Sequence, residues 1–72
     1  MRVLMERDYS CDKKHSLYNL PYGVIADKKR VKKIFIDRNE VPNNVYDIAF
    51  EKTAILFKYN LDKSVDVYAE VE

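Results

Sequence analysis

Tyr46-Asp47-Ile48-Ala49-Phe50-Glu51 is the stretch that decides the fold class of this 72-residue chain. On an extended backbone Tyr46, Ile48 and Phe50 point one way and Asp47, Ala49 and Glu51 the other, the period-two alternation of a half-buried strand. A competing reading caps a helix at Asn44 and runs it through Val45, Ile48, Ala49, Leu56 and Tyr59, which fits helical spacing apart from Lys52. The strand is adopted, its alternation being the clearest in the chain.

Downstream, Ile55, Phe57 and Tyr59 alternate with Leu56 and Lys58, and Val65, Val67, Ala69 and Val71 alternate with Asp66, Tyr68 and Glu70. The polar turn Asn60-Leu61-Asp62-Lys63-Ser64 between them predicts an antiparallel hairpin. Upstream, Gly23 to Ala26 and Val31 to Ile36 read as a second hairpin with the basic tip Asp27-Lys28-Lys29-Arg30. It is preceded by a Leu20-Pro21-Tyr22-Gly23 turn. The segment Asn39-Glu40-Val41-Pro42-Asn43-Asn44 breaks the chain before the Tyr46 strand. Met1 to Glu6 adds a further strand, and Asp8 to Asn19 is the one region with helix character. The expected fold is therefore mainly β (or α+β). It is an antiparallel meander of four to six strands, curled or closed into a small barrel, with at most one short helix near the N-terminus, in one domain spanning 1–72.

Composition narrows the function. The chain is 47% hydrophobic and 35% charged, with 13 basic and 12 acidic residues, which places it with globular domains rather than disordered segments. Its only glycine is Gly23, whereas phosphate loops, dinucleotide-binding turns and nucleophile elbows need several glycines at fixed spacing. The longest unbroken apolar run, Ala54 to Phe57, is far below the roughly 20 residues that cross a bilayer. The opening residues meet charge before an apolar stretch develops, so a cytoplasmic chain with no membrane partner is expected. One cysteine, Cys11, leaves no internal disulfide. A chain this short buries only about 60% of its unfolded surface, so a homodimer is favoured over a monomer. Lysine, asparagine, isoleucine and tyrosine make up 25 of the 72 residues, the bias that AT-rich coding gives a small bacterial, phage or prophage accessory protein.

Charge is unevenly spread. Residues 1–38 hold ten basic and five acidic residues, and residues 39–72 three basic and seven acidic. Lys28, Lys29, Arg30, Lys32 and Lys33 form a dense cluster, and clustered cations release counterions from nucleic acid. With Tyr18 or Tyr22 stacking bases, this hairpin would make a small nucleic-acid-binding module. Against that reading, lysines at a hairpin tip also blunt a sheet edge, and Lys32 and Lys33 would face opposite ways on a regular strand. In the acidic half, Asp66 and Glu70 share a face with Tyr68. A tyrosine between carboxylates reads as an interface anchor. The last strand, lying at the chain terminus, would offer unpaired backbone groups to a partner. Asp8, Cys11, Asp12 and His15 would line one side of a helix, but they make a poor metal set, and no paired carboxylates sit in an apolar setting. The expectation is a non-enzymatic module with no catalytic residue, metal or cofactor. It binds a protein partner through a β edge or the tyrosine-bearing face, with nucleic acid as the alternative.

Overall fold

The computed structural model describes residues 1–10 and 12–71. The described residues are mainly β, with eight strands in two four-stranded antiparallel sheets that do not close into a barrel. The strands are β1 (Arg2–Leu4), β2 (Glu6–Asp8), β3 (Ser16–Asn19), β4 (Val31–Ile36), β5 (Asn39–Glu40), β6 (Tyr46–Ala49), β7 (Ala54–Phe57) and β8 (Val67–Val71). One sheet runs β1-β8-β4-β5 and the other β2-β3-β7-β6. One short helix, α1 (Tyr22–Ala26), and a 3-10 turn at Asn43–Val45 lie between strands. No helix among the described residues is long and apolar enough to cross a membrane.

The two inner faces share one core. Val31, Ile34, Val67, Ala69 and Val71 come from the first sheet, and Tyr18, Tyr46, Ile55 and Phe57 from the second, all buried. Phe57 is fully enclosed. Its ring meets Tyr18 and Tyr46 edge-on at 5.8 and 5.9 Å, a geometry that adds to area burial because ring edges and faces carry opposite partial charge. Met5 is the corner at which the chain leaves one sheet for the other. Its side chain is buried, and its N–H donates to the Val67 carbonyl at 2.8 Å.

The connections differ from those expected. The segments 55–59 and 65–71 do not pair: β7 lies between β3 and β6, and β8 between β1 and β4. The buried Ser16 hydroxyl diverts the chain. It donates to the Tyr59 carbonyl at 2.9 Å and accepts the Leu61 N–H at 2.7 Å. The Arg7 guanidinium adds bonds to the Leu61 carbonyl at 2.7 Å and to Asn60 Oδ1 at 3.0 Å. With Leu61 buried as well, the 58–66 connection is pinned across the open end of the second sheet and delivers β8 to the first.

The described residues of 8–19 form no helix; Ser16, Tyr18 and Leu20 are buried at strand spacing, and β3 pairs with β2 and β7. No α-helix runs from Asn44 to Tyr59 either: Asn44 and Val45 belong to the 3-10 turn, and β6 and β7 follow. Met1 to Glu6 is divided between two strands of different sheets, which helps raise the number above four to six. Gly23 to Ala26 is helix and not a hairpin limb. The Pro21 carbonyl, at the N-cap position, accepts the N–H groups of Val24 and Ile25 at 3.0 and 3.1 Å. The helix ends on Lys28 in the left-handed region at φ 63°. Lys28 N–H donates to Ile25 O at 2.9 Å and Lys29 N–H to Val24 O at 3.2 Å, the paired bonds of a Schellman terminus.

Left-handed backbone therefore falls where there is no glycine. Lys28, Asp37, Phe50, Glu51 and Lys52 all have positive φ, while Gly23 does not. Phe50, Glu51 and Lys52 follow one another at 51°, 56° and 68°, closing the β6–β7 hairpin with one left-handed turn that carries Cβ crowding at each step. An added Cβ at Gly23 meets nothing within 4 Å.

Lys52→Gly and Gly23→Ala should each stabilise the protein by about 0.5–1 kcal/mol in urea denaturation; a loss at Lys52→Gly would rule out the left-handed turn in solution. Burial raises the phenol pKa of Tyr18, against the pull of Arg7, and burial raises that of Tyr46 too, both from 10.0. The neutral phenols are favoured in the folded state, so their contribution is complete below the unfolded value and is lost as pH rises through the folded values. Stability measured across about pH 9 to 11 should fall on the alkaline side of the tyrosine range, and less steeply in Tyr18→Phe and Tyr46→Phe.

Candidate functional site: the outer face of the β8 sheet

Turning Val67, Ala69 and Val71 into the core leaves Tyr68 and Glu70 on the solvent side of β8, with Asp66 just before them in phase. These three residues thus share one face. Register brings further residues alongside. Leu4, Tyr68, Phe35 and Glu40 are successive cross-strand partners over β1, β8, β4 and β5. Arg2, Glu70 and Lys33 form the adjacent row. Neighbours on one face of a sheet interact directly, so the site is a row of three apolar side chains, ending at Glu40, beside a charged row.

Arg2 joins the two rows. Its guanidinium reaches across β8 and lies over the Phe35 ring, 3.8 Å from the centroid, a cation–π contact. Phe35 is consequently only 7% exposed although it sits on the outer face. Beside it Arg2, Asp37, Arg38, Asp66 and Tyr68 line an open concavity of about 430 Å³. The Asp37-Arg38 reversal after β4 closes one end of it. Asp37 N–H donates to the Asp66 carbonyl at 2.8 Å, and Asp66 N–H to Asp37 Oδ1 at 3.3 Å.

The charges on this face are unequally satisfied. The amino group of Met1 donates to Glu70 Oε2 at 2.6 Å, and that bond, with Arg2 and Lys32 nearby, holds the Glu70 carboxyl below its ordinary pKa. Lys33 Nζ lies 3.9 Å from Glu40. Arg38 carries no ion pair among the described residues, so a guanidinium faces solvent at the rim of the concavity. Leu4, half exposed, completes the apolar row.

The last strand offers no open edge. β8 is hydrogen-bonded to β1 on one side and β4 on the other, so strand addition at the terminus is overturned. The free edges belong to β1, β5, β2 and β6.

The basic cluster is also rearranged. Tyr18 is a core residue at 3% exposure and cannot stack a base, whereas Tyr22 on α1 is 84% exposed. Lys28 terminates the helix, and the Arg30 guanidinium donates to the Lys29 carbonyl at 2.7 Å. There is no basic hairpin tip. Lys32 and Lys33 do not face opposite ways: the register slips between Val31 and Lys33, and this bulge leaves both lysines exposed.

A second concavity, about 280 Å³, is lined by Arg7, Tyr9, Asp12, His15, Asn60 and Lys63 among others. His15 Nδ1 is 2.9 Å from Asp12 Oδ1. Asp8 accepts the Ser10 hydroxyl and N–H at 2.6 and 2.8 Å, which lowers its pKa. Cys11 lies outside the described residues. No group of three His, Cys, Asp or Glu side chains close enough to share a metal ion occurs among the described residues.

Leu4, Phe35, Arg2 and Arg38 are not separable from ordinary surface and core residues by sequence alone. Only the β1-β8-β4 register assembles them with Tyr68. The chain matches no protein-family model, no curated protein and no solved structure.

Because the Tyr68 ring stands on the outer face, Tyr68→Ala should change unfolding free energy by about 1 kcal/mol or less. Phe57→Ala, at the centre of the core, should cost about 3–5 kcal/mol. Parallel urea titrations check this, and a Tyr68→Ala loss matching that of Phe57→Ala would mean that the ring is a core element.

Proposed function

We propose that this protein is a non-enzymatic binding module that captures another protein on the outer face of the β1-β8-β4 sheet, with Tyr68 as the anchor. One observation carries the reading. Leu4, Tyr68 and the Arg2-covered Phe35 line up across three strands beside a concavity bearing two arginines. Aromatic and arginine side chains are the residue types that dominate interface energetics. Tyrosine supplies a large contact area for two rotatable bonds. The chemistry fits a partner that lays an apolar side chain on Leu4 and Tyr68 and an acidic group against Arg2 and Arg38. Arg2, already stacked on Phe35, would need little further ordering, which favours affinity.

A second reading has its own observation. The bulge that exposes both Lys32 and Lys33, with Lys28 and Lys29 at the end of α1, supports phosphate contacts. Tyr18 can no longer serve it, and Lys33 lies beside Glu40.

The two are separated by a photo-crosslinking amino acid placed at Leu4 in cells making the protein. The proposal predicts one discrete protein adduct that disappears in Tyr68→Ala and is not formed from the same probe at Tyr22. An adduct that survives Tyr68→Ala, or one degraded by nuclease, would overturn it. In the latter case, anisotropy of labelled single-stranded DNA and RNA should weaken steeply with salt and depend on Lys28, Lys29 and Lys32.

A further inference from the structure

The four edge strands differ in how they are defended. β5 is two residues long, β2 is Glu6-Arg7-Asp8, and β1 carries Arg2 at its start. Short or charged edges resist pairing with another chain. β6, Tyr46-Asp47-Ile48-Ala49, is the longest of the four and carries a single acidic residue, with no lysine, arginine or proline. Its outer side is therefore the least defended edge among the described residues.

The phase of that edge follows from a single bond. Lys58 N–H donates to the Val45 carbonyl at 3.1 Å. Antiparallel pairs alternate, so Asp47 and Ala49 turn their backbone groups toward β7, and Tyr46 and Ile48 turn theirs outward. Ile48 is also 44% exposed although its cross-strand partner Ile55 is fully buried. It overhangs the open rim of the core. Phe50, two residues on, is 68% exposed and is held there by the left-handed turn.

We propose that β6 pairs antiparallel with β6 of a second copy of this chain, about a two-fold axis at Ile48. The choice of occupant rests on self-complementarity. With Ile48 opposite its own copy, each Ile48 N–H meets the other's carbonyl, and the two side chains meet over the rim of the core. Asp47 then faces Ala49 of the other copy, and Tyr46 comes alongside Phe50. Centring the axis one residue earlier would set Asp47 against Asp47, a like-charge pair that destabilises a sheet. The favoured register thus gives each aspartate an uncharged neighbour and covers Ile48 and Phe50 at once. Because β6 and β8 belong to different sheets, both Tyr68 faces remain outside this contact.

Sedimentation velocity from micromolar concentration to about 1 mM tests it. The protein should pass from monomer toward twice the monomer mass. Ile48→Pro removes only an outward N–H and no ladder bond, and proline is tolerated on an edge; it should stay monomeric throughout. Should that variant fail to fold, Ile48→Lys keeps the ladder, adds a defending charge, and should likewise abolish the dimer. A parent chain that remains monomeric over the whole range, or a dimer unchanged in the folded Ile48 variant, overturns the proposal.

Discussion

Strand β8 is hydrogen-bonded along both edges, and its pleat has no freedom to roll. Three inward apolar residues, Val67, Ala69 and Val71, fix which way it faces. Slipping its register by one residue would drive Tyr68 and Glu70 into the core and expose three buried side chains. Burying those small β-branched and methyl groups is thus the same event as presenting Tyr68 outward. The position of Arg2 over Phe35 depends on it too, since the guanidinium must cross β8 to reach the ring.

The delivery of β8 to that central place depends on the far end of the molecule. Ser16 has one hydroxyl donor and two acceptor positions. It uses the donor on the Tyr59 carbonyl, and it accepts from Leu61 N–H and, at 3.3 Å, from Arg7. Leaving those partners unmet inside the protein would cost about 1–3 kcal/mol for each group. A local β7–β8 hairpin would forfeit these bonds and expose Leu61. The arch between sheets is the outcome because it satisfies a buried polar centre that a hairpin leaves open.

That reason explains what the amino-acid order makes legible. Strand character over 46–49, 54–57 and 67–71 is readable because period-two alternation is a local property of each segment. The shared face of Asp66, Tyr68 and Glu70 is readable for the same reason. Pairing is not, because Asn60-Leu61-Asp62-Lys63-Ser64 has good turn chemistry and the competing contacts come from Ser16 and Arg7, some 45 residues or more away. Helix α1 hides for another reason. Val24, Ile25 and Ala26 favour or tolerate a strand, and the Schellman end is built on lysine where glycine is the usual signal. The bulge at Val31–Lys33 leaves no sequence mark at all, and it reverses the orientation argument that had set Lys32 against Lys33. The rest of the candidate face, Leu4, Phe35, Arg2 and Arg38, becomes visible only once register is known.

The distribution of strain bears on where adaptability lies. The left-handed residues Asp37, Phe50, Glu51 and Lys52 cap two hairpins, and each non-glycine residue there carries a steric cost that the surrounding ladder must offset. At Asp37 the offset is visible: its N–H and carboxylate both bond to the Asp66 backbone. That locks the Asp37-Arg38 reversal against the start of β8 and holds the Arg38 backbone at the rim of the concavity. Strain at this hairpin is therefore coupled to the same strand that presents Tyr68. A surface built this way is held by backbone ladder bonds where β4 and β8 meet. It is adjustable only in the arginine side chains, so recognition on it would be decided by how a partner's charge sits against Arg2 and Arg38, and not by remodelling of the sheet.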